Sequence, residues 1–85
     1  MGEVRLEFTV EPFTEGDPGP HVRAAVDAVA ANGLPIDFGP FSTTTFGDAA
    51  AVAAAVADLV RDAFAAGASR VALQLEAIEV IEATT

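Results

Sequence analysis

Val4, Leu6, Phe8 and Val10 alternate with Arg5, Glu7, Thr9 and Glu11. A period of two over this length predicts a strand with one apolar and one polar face. Pro12 removes an N–H donor and stops the ladder. The run Thr14-Glu15-Gly16-Asp17-Pro18-Gly19-Pro20 reads as a loop, and Pro20 suits the first turn of a helix. From there to Asn32, Val22, Ala25, Val26 and Val29 recur at three and four residues and form one apolar stripe. Asn32-Gly33 supplies a left-handed stop. Leu34 or Ile36 with Phe38 predicts a short second strand ended by Gly39-Pro40, and the run Ser42-Thr43-Thr44-Thr45 predicts a third. Asp48 is placed to cap a second helix whose stripe is Val52, Val56, Leu59, Val60, Ala63 and Phe64, with Gly67 ending it. Val71, Leu73, Leu75 and Ala77 then alternate with Ala72, Gln74, Glu76 and Ile78 in a last strand running to about Ile81.

Strand, helix, hairpin, helix, strand over residues 1–85 describes one domain. Two helices with single stripes and four one-sided strands pack as a two-layer sandwich. With right-handed crossovers the prediction is an α+β, ferredoxin-like βαββαβ fold, its antiparallel sheet in the order 4-1-3-2. Phe8, Val26, Phe38, Val56, Leu59, Leu73 and Leu75 are the expected core. The helices cover one face of the sheet only. The other carries Arg5, Glu7, Thr9, Asp37, Gln74 and Glu76, a polar yet central surface that either water or a second subunit must cover.

Charge and composition narrow the chemistry. The net charge is −9, and all four basic residues are arginine. Such a chain repels nucleic acid and anionic membranes and favours a cationic ligand, although excess acid also serves solubility. The absence of cysteine removes disulfides, thiolate metal sites and thiol nucleophiles. With His21 as the one histidine, neither a transition-metal site within one chain nor a catalytic triad has candidates, and His21 reads as an exposed polar residue in the first turn of a helix. Gly16–Gly19 lacks the spacing and the lysine of a phosphate loop. The alanine-rich stretch Ala49–Ala57 is too short to span a bilayer. Met1-Gly2-Glu3 leads straight into a strand, so a cytoplasmic protein without a signal peptide is expected.

What remains is a binding surface. The hydroxyls of residues 42–45 serve strand propensity on the bland reading, and offer donors and acceptors to a small polar ring on the functional one. Ser42 and Thr44 should share a face and Thr43 should not, unless a bulge intervenes. Phe41 and Phe46, five apart, point to opposite faces. One packs beneath the helices, and the other is a stacking platform or an oligomer contact on the open side. Glu7, Glu11, Asp37 and Glu76 gather on the open face, as solvated carboxylates or as a source of negative potential.

These residues resemble the MTH1187/YkoF-like thiamine-binding proteins, small bacterial and archaeal ferredoxin-like domains, over nearly the whole chain. The likeness rests on the strand ending in Pro12, the helix closing on Asn32-Gly33-Leu34, and the hairpin Gly33–Pro40. It continues through the hydroxyl run to Gly47-Asp48, then Ala66–Val71 leading into Leu73-Gln74-Leu75-Glu76. The loop Glu15–Pro20 and Phe46 depart from the family's usual serines and acidic residue. The resemblance implies non-enzymatic binding of thiamine or its hydroxymethylpyrimidine moiety, no cofactor, and sheet-mediated homodimers or homotetramers. It marks Ser42, Thr43, Thr44 and Gln74 as ligand contacts. Asp37, Glu7 or Glu76 would add negative potential for a cationic thiazolium, and Phe41 or Phe46 an aromatic wall. Two other readings fit the strand order: a cofactor-free enzyme of the dimeric α/β-barrel type, disfavoured by the lack of Tyr, Trp and Cys, and a purely structural oligomerisation domain.

Overall fold

The computed structural model describes residues 2–12, 19–39 and 42–78. The elements follow in the order β1 (Glu3–Glu11), α1 (Gly19–Ala31), β2 (Asp37–Phe38), β3 (Thr43–Asp48), α2 (Ala49–Ala65) and β4 (Arg70–Ala77). All pairings are antiparallel, and the sheet order β2-β3-β1-β4 is the expected 4-1-3-2 seen from its other edge. This is the ferredoxin-like sandwich. The far end of the expected last strand, beyond Ile78, lies outside the described residues.

Local chemistry sets the boundaries. The Asp48 carboxylate accepts from the Ala50 N–H at 3.1 Å and satisfies an otherwise orphaned donor of α2. Both helices are followed by left-handed glycines, Gly33 at φ +78° and Gly67 at φ +107°. Asn32 is not itself left-handed. Its amide donates to the Ala28 carbonyl at 2.8 Å and to the Asp58 carboxylate at 3.0 Å, tying the end of α1 to α2. β2 is short because Pro35 has no N–H for a longer ladder, so Leu34 and Ile36 pack on the core from outside the sheet.

Leu6, Phe8 and Val10 of β1 turn to the helices and are buried against Val22, Ala25, Ala28 and Val29 of α1 and Val52, Ala55, Leu59 and Ala63 of α2. Phe8 and Leu59 are core as expected, and Val26 and Val56 are half-buried. Phe38, Leu73 and Leu75 are not core: they are 51%, 39% and 54% exposed. They face the helices as expected, since Leu73 and Leu75 lie opposite Phe8 and Leu6, and Phe38 lies opposite Thr43. β2 and β4 are the edge strands, and the helices cover them only in part: Val71 of β4 packs against the core while Leu73, Leu75 and Phe38 stay exposed. Phe64, from the expected stripe of α2, is likewise 48% exposed.

The centre instead holds two threonines. Thr43 and Thr45 face the helices at 4% and 1% exposure, and the Thr45 hydroxyl has no hydrogen-bond partner among the described residues. An unsatisfied buried hydroxyl costs about 1–3 kcal/mol. Thr45→Val, which keeps the shape and strand propensity, is therefore expected to raise stability by about 1 kcal/mol in urea denaturation. A loss of that size would mean the hydroxyl is satisfied.

Candidate functional site

The register brings the predicted polar residues into one row. Glu7 lies between Thr44 of β3 and Gln74 of β4, and Thr44 in turn lies opposite Asp37 of β2. Residues directly opposite on antiparallel strands share a face, so Asp37, Thr44, Glu7 and Gln74 cross the open side of all four strands. At about 4.8 Å per strand the row spans roughly 14 Å. A second row runs from Phe46 through Arg5 to Glu76.

Charges on this face are compensated unevenly. Arg5 pairs with Glu76 at 3.3 Å, and Arg70 with Glu11 at 3.6 Å. Glu7 and Asp37 have no basic partner among the described residues. Glu7 is held instead by the Ser42 hydroxyl, which donates to its carboxylate at 2.9 Å. A half-buried carboxylate fixed in the middle of a sheet, with no ion-pair partner among the described residues, can attract a cation.

Around it lies a depression of 280 Å³ lined by Glu7, Thr9, Ser42, Ala72 and Gln74, with the strand segments at Phe8 and Leu73 between them. Ser42, Glu7 and Gln74 therefore come together as expected, with Thr44 beside Glu7 and Asp37 one strand further along the same row. The other members separate. Thr43 faces the helices, because no bulge interrupts β3 and the alternation carries through. Phe46, 50% exposed, is the open-face phenylalanine, but it stands four residues along β3 from Ser42, roughly 13 Å away. Phe41 lies outside the described residues. Thr9 and Ala72 complete the depression. They are opposite each other, and the small Ala72 between Arg70 and Gln74 makes the dip. A lone alanine among long side chains on the polar face of the last strand was the available signal.

A second cavity, of 310 Å³, opens at the same end of the sheet on the helix side, between Phe38, Thr43 and Val22. His21 sits apart from the Glu7 depression, its Nε2 against the Pro12 carbonyl at the end of β1. Asp62 on α2 is held below the ordinary carboxylate range chiefly by the hydrogen bond from the Arg61 guanidinium, and belongs to a helix-surface cluster with Asp58. Among the described residues no group of three or more His, Asp or Glu is placed to hold a metal ion. No helix is long and apolar enough to cross a membrane.

The family model described as thiamine-binding protein matches residues 6–83 of the chain. Among solved structures, the chain is similar to a protein of Thermotoga maritima provisionally assigned to thiamine biosynthesis or salvage. They share 25% identity at a TM-score of 0.66, over 92% of this chain and 84% of that one. It is also similar to a domain of unknown function from Bacillus cereus, with 22% identity, a TM-score of 0.68, and 93% and 77% of the two chains covered. A hypothetical protein from Methanocaldococcus jannascii shares 19% identity at a TM-score of 0.70, over 99% and 87%. At those last two identities the likeness bears on fold alone. No curated protein matches the chain.

Proposed function

The chain belongs to the thiamine-binding protein family, and we propose that it binds thiamine or its hydroxymethylpyrimidine moiety, without a chemical step, on the open face of its sheet. The observation that carries this reading is Glu7, a central carboxylate positioned by Ser42 and without a basic partner among the described residues. Thiamine offers a permanently cationic thiazolium to such a group and an aminopyrimidine to the neighbouring hydroxyls and to the Gln74 amide. The relative provisionally assigned to thiamine biosynthesis or salvage points the same way. Saturating ligand at about 100 times its dissociation constant adds about 2.7 kcal/mol. In a domain of this size that is a rise in melting temperature of roughly 10–20 °C. A thermal-shift series with thiamine, its phosphates and hydroxymethylpyrimidine tests the reading; no shift with any of them would favour a purely structural domain.

The same proposal includes a cytoplasmic homodimer or homotetramer. Phe38, Leu73, Leu75 and Ile78 leave apolar surface at both edges of the sheet, Phe46 adds more on the open face, and β4 has a strand partner on one side only among the described residues. Surface of this kind favours pairing. Light scattering at micromolar concentration should give two or four times the monomer mass, and a stable monomer would count against this assembly.

A further inference from the structure

The chain has no lysine, and its four arginines all lie among the described residues. Arg5 is held by Glu76 at 3.3 Å, Arg70 by Glu11 at 3.6 Å, and Arg61 by Asp58 and Asp62 at 3.3 and 2.8 Å. Arg23 is exposed on α1, in the helix layer on the other side of the sheet. Both arginines of the sheet therefore have carboxylate partners, while Glu7 and Asp37 on its open face have no basic partner among the described residues. The remaining sequence supplies no further base: residues 1, 13–18, 40–41 and 79–85 contain no arginine or lysine and add Glu15, Asp17, Glu79 and Glu82. Helix N-termini, which hold phosphate groups through free N–H donors, are no substitute here. At α2 the Asp48 carboxylate already accepts from the Ala50 N–H at 3.1 Å, and the first turn of α1 contains Pro20, which has no N–H to offer.

We infer that the open-face site takes unphosphorylated thiamine and that Glu7 and Asp37 exclude its phosphate esters by charge. This rests on the thiamine reading above and names the form of the ligand that the site selects. Thiamine brings one permanent positive charge on its thiazolium. A phosphate monoester adds about −1.5 to −2 at pH 7, so the esterified molecule is anionic on balance. The added charge sits on a short arm of the very ring that Glu7 attracts, and repulsion of the arm offsets attraction of the ring. Asp37, about 10 Å away at two strand spacings across the row, adds a smaller repulsion. Arg5 is the nearest base, two residues along β1 on the same face, but a phosphate must displace Glu76 to reach it. The chain would thus hold the free alcohol, the form that a phosphoryl-transfer reaction consumes and a phosphatase reaction releases.

Calorimetry at 0.1 M salt with thiamine, thiamine monophosphate and the acetyl ester of thiamine tests the selection. The unmodified protein should bind thiamine at least tenfold more tightly than the monophosphate. The acetyl ester, which adds bulk without charge, should bind within threefold of thiamine. Glu76→Gln releases Arg5 from an exposed pair and should narrow the preference at least threefold by strengthening monophosphate binding. Glu7→Gln should narrow it as well, chiefly by weakening thiamine, and so should 1 M salt, where the Debye length falls to about 3 Å. Monophosphate bound as tightly as thiamine, or more so, would overturn the inference while thiamine binding stands. So would an acetyl ester rejected as strongly as the monophosphate, or a preference that neither substitution nor salt narrows, since either makes the cause steric. Binding of none of the three ligands to the unmodified protein would overturn the thiamine reading, and this inference with it.

Discussion

Leu6→Ala is expected to cost about 2–5 kcal/mol of folding stability, a large share of the roughly 4–13 kcal/mol an 85-residue domain commands. Leu6 is fully buried in the central strand. Its removal opens a cavity that neighbours on three sides, Thr45 of β3, Leu75 of β4 and the helices above, cannot all move to fill. The informative comparison is Leu75→Ala. That residue lies directly opposite Leu6 on the same face of the sheet, with the same side chain and strand environment, but it is 54% exposed. Burial of half a leucine contributes about 1 kcal/mol, so the variant should lose about that much or less. Urea denaturation of both variants, at a concentration low enough to disfavour assembly, measures the contrast. Equal losses would mean that β4 is covered in solution, and that the leucine pair is central after all.

That contrast also marks where the sequence stops being readable. Alternation in β1 and β4 reports which face a side chain takes: Leu73 and Leu75 do turn to the helices, and Ser42 and Thr44 do turn away from Thr43. Alternation does not report how far the covering layer extends. Whether Leu73 is core depends on β4 being an edge strand that the helices cover only in part, a property of the assembled sheet. The polar row from Asp37 to Gln74 was legible as membership of one face, because strand order and period together imply it. Register decided the rest. Only the pairing of Glu7 with both Thr44 and Gln74 makes Glu7 the centre, and only the pairing of Thr9 with Ala72 makes the depression beside it. Phe46 shows the limit from the other direction. The period set Phe41 and Phe46 on opposite faces without saying which is open; Phe46 takes the open face, but its distance from Ser42 removes it from the depression it was expected to wall.

Thr44→Ala and Gln74→Ala should each weaken thiamine binding by about 1–3 kcal/mol, roughly 5- to 150-fold, while leaving the oligomeric state unchanged. Both flank Glu7 on the open face, one from each neighbouring strand. Each offers hydrogen-bonding groups that a bound ligand would desolvate, and truncating either leaves the ligand's partner atom buried without its bond. Neither contributes to the core, since Gln74 is exposed and Thr44 half-buried on the polar side, so folding should be nearly untouched. Salt separates their roles from that of the carboxylate. Attraction between a thiazolium and Glu7 is screened as the Debye length falls from about 10 Å at 0.1 M to about 3 Å at 1 M salt. Affinity of the unmodified protein should therefore drop with ionic strength, and Glu7→Gln should flatten that dependence. Thr44→Ala and Gln74→Ala, which remove uncharged groups, should shift affinity at every salt concentration and keep the slope. If all three variants alter the slope alike, the common cause is distortion of the sheet. If Thr44→Ala and Gln74→Ala leave thiamine affinity unchanged by calorimetry, the row from Asp37 to Gln74 is not where the ligand sits.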